Sequence, residues 1–448
     1  MGFWKAIGAN STIIDVIENG YKIPFVTTPP PKIFKNNRSA LENKGFVEEE
    51  IEKLLTSGRV KEVFNPPYMV NPLTVSKNGN KSRLILDLSF VNQFVFKDKI
   101  KFDDWKAMIH FIEKDVFLFK FDISQGYHHV DIDPDYQHYL GFSWIFDGKI
   151  RYFIFTVLPF GITTGPQLFT KVMRGLVKYW RTRGIHISVY LDDGLGCRKS
   201  LEQAKEDSER VKLSLENAGF IINEDKSIWY PCQDIVWLGV RFRSDIGIFH
   251  IPEERVQSLK ASLNDLISRL PYSTPRKIAG FCGKVISTKF VLGLIVQLKT
   301  RRLYHMIDQR ATWDGRVSFQ NFEGALKELF FWQKCFDELN FRRLCSKYLP
   351  PIRAYSDASQ SAIGAHVSVE GSTRLVRKNL EFDQKYRSST WRELYAILYA
   401  CRSFKSFFKN KSVLWHTDNY AASLIISKGS NKSELQELSE NIFEICSL

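Results

Sequence analysis

No CxxC pair occurs in the 448 residues, and the seven cysteines (Cys197, Cys232, Cys282, Cys335, Cys345, Cys401, Cys446) are scattered. That absence leaves a zinc module or a disulfide framework without support. The thiols read as reduced, mostly buried side chains of an intracellular protein, cytoplasmic or nuclear. The opening residues read as lacking a secretory leader. Long hydrophobic runs are also missing. FVLGLIVQL at 290–298 is the longest, well short of the ~20 residues needed to cross a bilayer, so no membrane partner is expected. Internal repeats and long low-complexity tracts are absent, which excludes solenoids and tethers.

Aromatic and basic residues are plentiful instead. Hydrophobic residues make up 44% of the chain, and 35 residues are Phe, enough for several real cores. The formal net charge is +14 and the pI about 9.3. A basic excess on a folded protein points to a polyanion, most often nucleic acid. The plainer alternative is a merely soluble, charged surface.

Patterning along the chain predicts an α+β protein. A proline-rich lead-in, GYKIPFVTTPPPK, spans 20–32. FVEEEIEKLLTSGRV (46–60) predicts an amphipathic helix that stops at Gly58. A hairpin is expected at Asn78-Gly79, a strand at 116–124, a second hairpin at Asp147-Gly148 and a helix near 166–182. A helix at 201–218 and a strand pair at 235–250 follow. Val256, Leu259, Leu263, Leu266 and Leu270 recur at helical spacing in 251–270, and Ser273 or Thr274 with Pro275 opens the next helix. LPPIRAYSDAS (349–359) starts a new β-rich region.

ISVYLDDGLGCR (187–198) sets two aspartates inside an apolar run. Asp122 ends another such strand, LFKFD. Clustered carboxylates repel unless cations neutralise them, and two magnesium ions ~4 Å apart would also clamp the oxygens of a phosphoryl transfer. Because strand residues alternate faces, Asp192 is expected to face Asp122, with Asp193 contributing less directly. Ordinary turn chemistry in Asp-Asp-Gly is the competing explanation.

The surroundings carry a resemblance. FDISQGYHHVDI, LPFGITTGPQLF, VYLDDGLG, WLGVRF and, upstream, KSRLILDLSFVNQF occur in the order and spacing of reverse-transcriptase motifs, over about 40–350. The resemblance implies a right-hand polymerase: an N-terminal extension at 1–32, fingers and palm at 33–250, a helical thumb at 251–310 and a connection at 311–348. It implies metal binding by Asp122, Asp192 and Asp193. Lys77 and Arg83 would contact the triphosphate, although Arg83 could instead pair locally with Asp87. Tyr127 matches the position that walls off a ribose 2′-hydroxyl, so deoxynucleotides would be preferred. Phe160, Gly161 and Gln167 fall in the segment that shapes the templating pocket, and Asn223 and Lys226 fall near the nucleotide. His128 and His129 have no partner spacing for a metal site and read as structural. Implied partners are an RNA template, a DNA primer and product, and deoxynucleoside triphosphates.

A second acidic set follows: Asp357 in AYSDASQS, Glu393 in STWRELYA and Asp418 in HTDNYAA. Its strand–hairpin–helix–strand order resembles an RNase H domain, placed at 349–448. The resemblance implies one or two magnesium ions there, with manganese as a possible substitute, acting on the RNA of an RNA–DNA hybrid. Each acid also has an ordinary explanation: a Thr390-x-x-Glu393 capping box, an Asp418 helix cap and an Asp357 turn. RNase H domains carry a fourth acid farther on. Glu440 and Glu444 have no strong claim to it, so the domain is expected to be truncated or incomplete. GYKIPF, the NPLTV…SRLILDLSFVN run, STPRKIAGFCGKVIS…LKTRRLYHMI and HTDNYAA resemble DIRS-type retrotransposons, whose other products include a tyrosine recombinase, a further possible partner. Gypsy-type elements and pararetroviruses are the neighbouring groups.

Three rivals remain. An RNA-dependent RNA polymerase shares the palm, but Tyr127 and the attached RNase H segment argue against it. A catalytically limited nucleic-acid-binding protein of the same fold would not need Asp122, Asp192 and Asp193 intact. A phosphate loop at GFCGK (280–284) has the wrong spacing and reads as helix.

Overall fold

The structure is a computed structural model that describes residues 1–78, 81–97, 108–109, 111–344, 352–369, 372–409 and 411–447. Gly79 of the expected first hairpin, Cys345 and the expected boundary at 348–349 lie outside the described residues. The chain divides into two compact units, Met1–Leu238 and Gly239–Leu448.

In the first unit, helix α1 (Lys44–Thr56) buries Val47 and Ile51. It ends just before Gly58, whose φ of 68° a side chain would oppose. A two-stranded ribbon follows, β1 (Leu73–Asn78) with β2 (Lys81–Leu86). Then come β3 (Phe117–Asp122), β4 (Gly141–Phe146), β5 (Lys149–Phe155) and α2 (Gly165–Thr182). The β4–β5 turn is the expected one at Asp147-Gly148, both with positive φ, as a tight hairpin turn demands. These two strands lie in a five-stranded sheet ordered Lys32–Ile33, Met69–Asn71, β4, β5, Val60–Val63. The unit ends with β6 (His186–Tyr190), β7 (Asp193–Arg198), α3 (Leu201–Asn217) and β8 (Ile228–Cys232).

The sheet that matters for chemistry is ordered β8-β3-β7-β6. Phe119 and Phe121 of β3 are fully buried, and so are Phe169, Leu176 and Trp180 of α2. α2 presents Leu168, Val172, Met173, Leu176 and Trp180 at spacings of three and four, so one face is apolar and sinks into the core. Ser200 Oγ caps α3 by accepting the Gln203 N–H at 3.4 Å.

In the second unit, α4 (Glu253–Ser268) buries Val256, Leu259, Leu263 and Leu266, the stripe its spacing predicts. α5 (Pro275–Ile286) opens with Thr274 Oγ1 accepting the Lys277 N–H. α6 (Arg301–Asp308) and α7 (Glu323–Leu339) follow. The buried Glu328 carboxylate of α7 caps α6, accepting the N–H groups of Arg302 at 2.9 Å and Leu303 at 3.0 Å. Next come β9 (Ile352–Ala358), β10 (Ala362–Val369), β11 (Ser372–Asn379), α8 (Ser389–Ser403), β12 (Val413–His416), α9 (Tyr420–Lys428) and α10 (Ser433–Ser447). The sheet order is β11-β10-β9-β12, antiparallel except for the β9–β12 pair. α8 packs Leu394, Ile397 and Cys401 against Leu435, Leu438 and Ile442 of α10. Among the described residues, no helix is long and apolar enough to cross a membrane.

Candidate functional site

β6 and β7 are joined by a two-residue turn, Leu191-Asp192, with Leu191 at φ 54°. This is the distorted turn that two adjacent aspartates require. Ile123 N–H donates to Asp192 O at 3.0 Å, tying the turn to the end of β3. A Cβ on Gly194 would lie 2.2 Å from the Phe121 ring, and one on Gly196 would lie 2.2 Å from the Phe119 ring. The aromatic residues of β3 therefore lie flat over the glycines of β7, and the strands close tightly behind the turn.

The register corrects one expectation. Asp193, not Asp192, stands directly across from Asp122, and cross-strand partners share a face. Both line a cavity of about 470 Å³ with Lys120, Asp225 and Lys226. Asp192 sits in the turn itself, so its alternation with Asp193 is not that of a regular strand. Its charge still reaches the cluster. Burial, then Asp122 and Asp192, push the Asp193 carboxyl up to about 6. Burial first, and also the Asp122 charge, raise Asp192.

Lys226 supplies the balancing charge. Its Nζ lies 3.2 Å from Asp122 Oδ1 and 3.4 Å from Oδ2. The turn bearing it is fixed by Asn223 N–H donating to Asp122 O at 2.8 Å and by Ser227 Oγ, which accepts the Asp122 N–H at 3.1 Å and donates to Asn223 O at 2.7 Å. Asp122 and Asp193 facing one another in an open cavity, with Asp192 in the adjoining turn, are a donor set suited to divalent cations.

The flanking loops place the other expected residues. The Tyr127 ring packs 5.1 Å from that of Phe160 and 5.6 Å from that of Phe169. Burial, then the Asp192 charge, push its hydroxyl up to about 12, so it stays a neutral wall. Gly161, at φ 113°, lets the loop pass against Leu86 O, which a Cβ would meet at 2.4 Å. Phe160 is exposed and Gln167 half-buried. His129 is structural: its Nε2 accepts the Ile221 N–H at 3.0 Å and its Nδ1 faces Gly126 O at 3.2 Å.

On the ribbon, Arg83 pairs with Ser76 and Lys77 with Ser82, so Arg83 and Lys77 project from opposite faces. Arg83 shares its face with Ile85, which lies 3.9 Å from the Cβ position of Gly161. Arg83 therefore lies on the ribbon face turned toward the Gly161 loop, and Lys77 on the other. Asp87 is held by Ser89 and Asn37, not by the alternative pairing with Arg83.

In the second unit, Asp357 at the end of β9, Glu393 on α8 and Asp418 after β12 bring carboxylate oxygens within 4.8 Å of one another. The ordinary explanations of Glu393 and Asp418 fail. α8 is capped by Ser388, which accepts the Trp391 N–H, so Glu393 is not in a capping box. Asn419, not Asp418, caps α9. Asp357 does engage its own turn, with Ala358 N–H donating to it at 2.8 Å and to Glu393 Oε1 at 3.1 Å. Glu393 Oε2 is buried, with no hydrogen-bond partner among the described residues. Burial, and then the two aspartates, push Glu393 up to about 7. An orphaned buried carboxylate oxygen aimed at two more carboxylates fits a cation. Glu440 is taken by Lys299 at 3.4 Å and Arg302 at 3.8 Å, and Glu444 lies 4.0 Å from Lys299.

Residue reasoning missed the glycine–phenylalanine closure and the Ser227 contact. The first had a signal: Phe-x-Phe in 119–121 opposite Gly-x-Gly in 194–196.

Residues 75–242 match the family model for reverse transcriptase (RNA-dependent DNA polymerase). The Transposon Tf2-3 polyprotein of Schizosaccharomyces pombe is 21% identical over 360 residues, covering 79% of this chain and 24% of the polyprotein. The Retrovirus-related Pol polyprotein from transposon 412 of Drosophila melanogaster is 24% identical over 218 residues, covering 46% of this chain and 17% of the relative. The chain thus spans about a quarter or less of these relatives. The foamy viral protease-reverse transcriptase in complex with dsDNA has a TM-score of 0.59 at 16% identity, covering 95% of this chain and 90% of that one. The same protein's complex with an RNA/DNA hybrid gives 0.58 at 14%, covering 98% and 61%. The fold is that of a right-hand polymerase, α+β throughout.

Proposed function

We propose that the protein is an RNA-directed DNA polymerase of a retrotransposon, with a linked C-terminal domain that hydrolyses the RNA of RNA–DNA hybrids. The observation that carries this reading is the Asp122–Asp193 pair across β3 and β7, beside Asp192 in the turn, within the segment that matches the family model. Asp122, Asp192 and Asp193 hold divalent cations, magnesium with manganese as substitute. Cations bound there would lower the pKa of an attacking 3′-hydroxyl and neutralise charge on the triphosphate.

The chain's own residues do the rest. Lys226 balances the charge of Asp122 and would give way when cations bind. Arg83 meets the triphosphate from the ribbon. Tyr127, stiffened by Phe160 and Phe169, closes the space a 2′-hydroxyl would need. Phe160, Gly161 and Gln167 border the templating base. In the second unit, Asp357, Glu393 and Asp418 hold the nuclease cations.

The division into an extension (1–32), fingers and palm (33–250), thumb (251–310), connection (311–348) and RNase H-like domain (349–448) belongs to this reading. So does the DIRS-type assignment, supported by strings such as GYKIPF and HTDNYAA. The site of action is cytoplasm or nucleus. One assay tests the whole: extension of a DNA primer on a labelled RNA template in magnesium, following product growth and template loss together. No extension with deoxynucleotides overturns the polymerase, and an intact template overturns the nuclease.

A further inference from the structure

The helices Gly2–Ala6 and Ser11–Asn19 precede the 75–242 segment that matches the family model, and that match gives them no role. They are nonetheless built into the core of the first unit. Trp4, Ile13 and Val16 are buried. Gly175 of α2 leaves them room: a Cβ there would lie 3.4 Å from the Trp4 ring and 3.5 Å from Ile13 Cδ1. Phe3 adds an edge contact to Tyr179, with ring centroids 6.1 Å apart.

Trp4 also reaches across to α3. Its Nε1 donates to Ala218 O at 3.2 Å. Ala218 ends α3, where carbonyls lack a partner in their own helix, and a buried indole N–H needs an acceptor. The indole lies edge-on to the Phe220 ring, with centroids 6.3 Å apart. Trp4 therefore grips both ends of the turn that leaves α3.

The residues after that turn are stitched to the strand that carries Asp122. Ile221 O accepts the Ser124 N–H at 2.9 Å, Asn223 N–H donates to Asp122 O at 2.8 Å, and Ile222 bridges Ile123. Phe220 meets the site by a second route. Its ring packs edge-on against Phe169 at 6.0 Å, and Phe169 packs against Tyr127 at 5.6 Å. Phe220 also lies 5.4 Å from His129, whose Nε2 accepts the Ile221 N–H. Rings packed in this way shift together, because a well-filled interior has no slack to absorb the movement.

We propose that Trp4 is a positioning residue for the polymerase site: by holding the 218–223 turn it fixes where Asp122 ends its strand and how firmly the Tyr127 ring is backed. The inference rests on the polymerase reading and extends it to a segment ahead of the family match. Trp4 acts through the turn and through Phe220, not by contact with substrate.

The test is primer extension by the full chain on an RNA template with a DNA primer. Two readouts are taken for each variant: the magnesium concentration giving half-maximal extension, and the ratio of dTTP to UTP incorporation. Trp4→Ala should raise the first and lower the second, each about threefold or more, the scale of coupling through packed side chains. Trp4→Phe, which keeps a ring against Phe220, should recover most of both. Phe220→Leu should shift them in the same direction, and joining it to Trp4→Ala should add little, since both act on one contact. Val47→Ala, which opens a cavity at a buried position of α1, controls for lost stability alone. It should lower the melting temperature and leave both readouts at wild-type values. Wild-type readouts in folded Trp4→Ala, or equal shifts in Val47→Ala, overturn the inference alone. If Trp4→Ala does not fold, Phe220→Leu decides by the same comparison. A wild-type chain that extends no primer overturns the polymerase reading and with it this role for Trp4.

Discussion

Asp193 stands directly across the strands from Asp122, and the Lys226 ammonium lies 3.2 Å from that same Asp122. Without Lys226 the cavity would keep only Lys120 to offset its carboxylates. The lysine is a resident cation in the place where the proposed chemistry needs divalent ones. Asp122→Asn, Asp192→Asn and Asp193→Asn should each lower extension in magnesium by at least about 100-fold, the scale of losing one preorganised electrostatic group. Rapid-quench primer extension measures this. A variant at Asp193 with wild-type rates would mean that its pairing with Asp122 is only architectural.

Tyr127 is wedged between Phe160 and Phe169, so its ring cannot swing aside cheaply. Tyr127→Ala should admit ribonucleotides, lowering discrimination by about 10- to 100-fold, as expected for a steric gate. Competing dTTP against UTP in single-nucleotide incorporation gives the ratio. Unchanged discrimination would assign the gate to another side chain.

Glu393 sets a buried oxygen, without a hydrogen-bond partner among the described residues, beside two neighbouring carboxylates. Glu393→Gln removes one charge and supplies donors toward Asp357 and Asp418. In chelator the variant should be more stable, on the order of 1 kcal/mol, and melt a few degrees higher. It should also bind manganese more weakly by titration calorimetry and leave hybrids uncut, while primer extension continues. A lower melting temperature in chelator would show that the carboxylate is not strained as the geometry implies.

Glu328 lies buried at the start of α6, facing Arg302, Glu440 and Cys282, with burial pushing it up to about 8 from an ordinary 4.5. The folded chain therefore holds this proton more tightly than the unfolded chain does. The resulting stabilisation is complete below about pH 4.5 and is lost as pH rises through about 8. Glu328→Gln, which still accepts a backbone N–H, should flatten the fall in melting temperature between these pH values. An identical slope in the variant would place the proton elsewhere.

Much of this was legible before any coordinates. The LFKFD strand, the YLDD turn and the 201–218 helix are short-range patterns, and local chemistry decides them. Thr274 and Pro275 likewise open α5 as their types predict. Register was not legible. Whether Asp192 or Asp193 meets Asp122 depends on a one-residue offset between strands about 70 positions apart, and that is set by packing of Phe121 on Gly194. The same offset rule separates Lys77 from Arg83. The capping alternatives for Glu393 and Asp418 could not be settled from type alone, because Ser388 and Asn419, one or two positions away, can cap equally well and do. The Trp4 contact with Ala218 joins residues 214 apart and left no periodic trace.

The flat rings of Phe119 and Phe121 over Gly196 and Gly194 make four positions heritable only as a set. A lineage that shrinks either ring opens room for a methyl opposite, and one that gains the methyl first must lose the ring. Variation at these sites should therefore travel in matched pairs, so that an alanine at either glycine dates the loss of its aromatic partner.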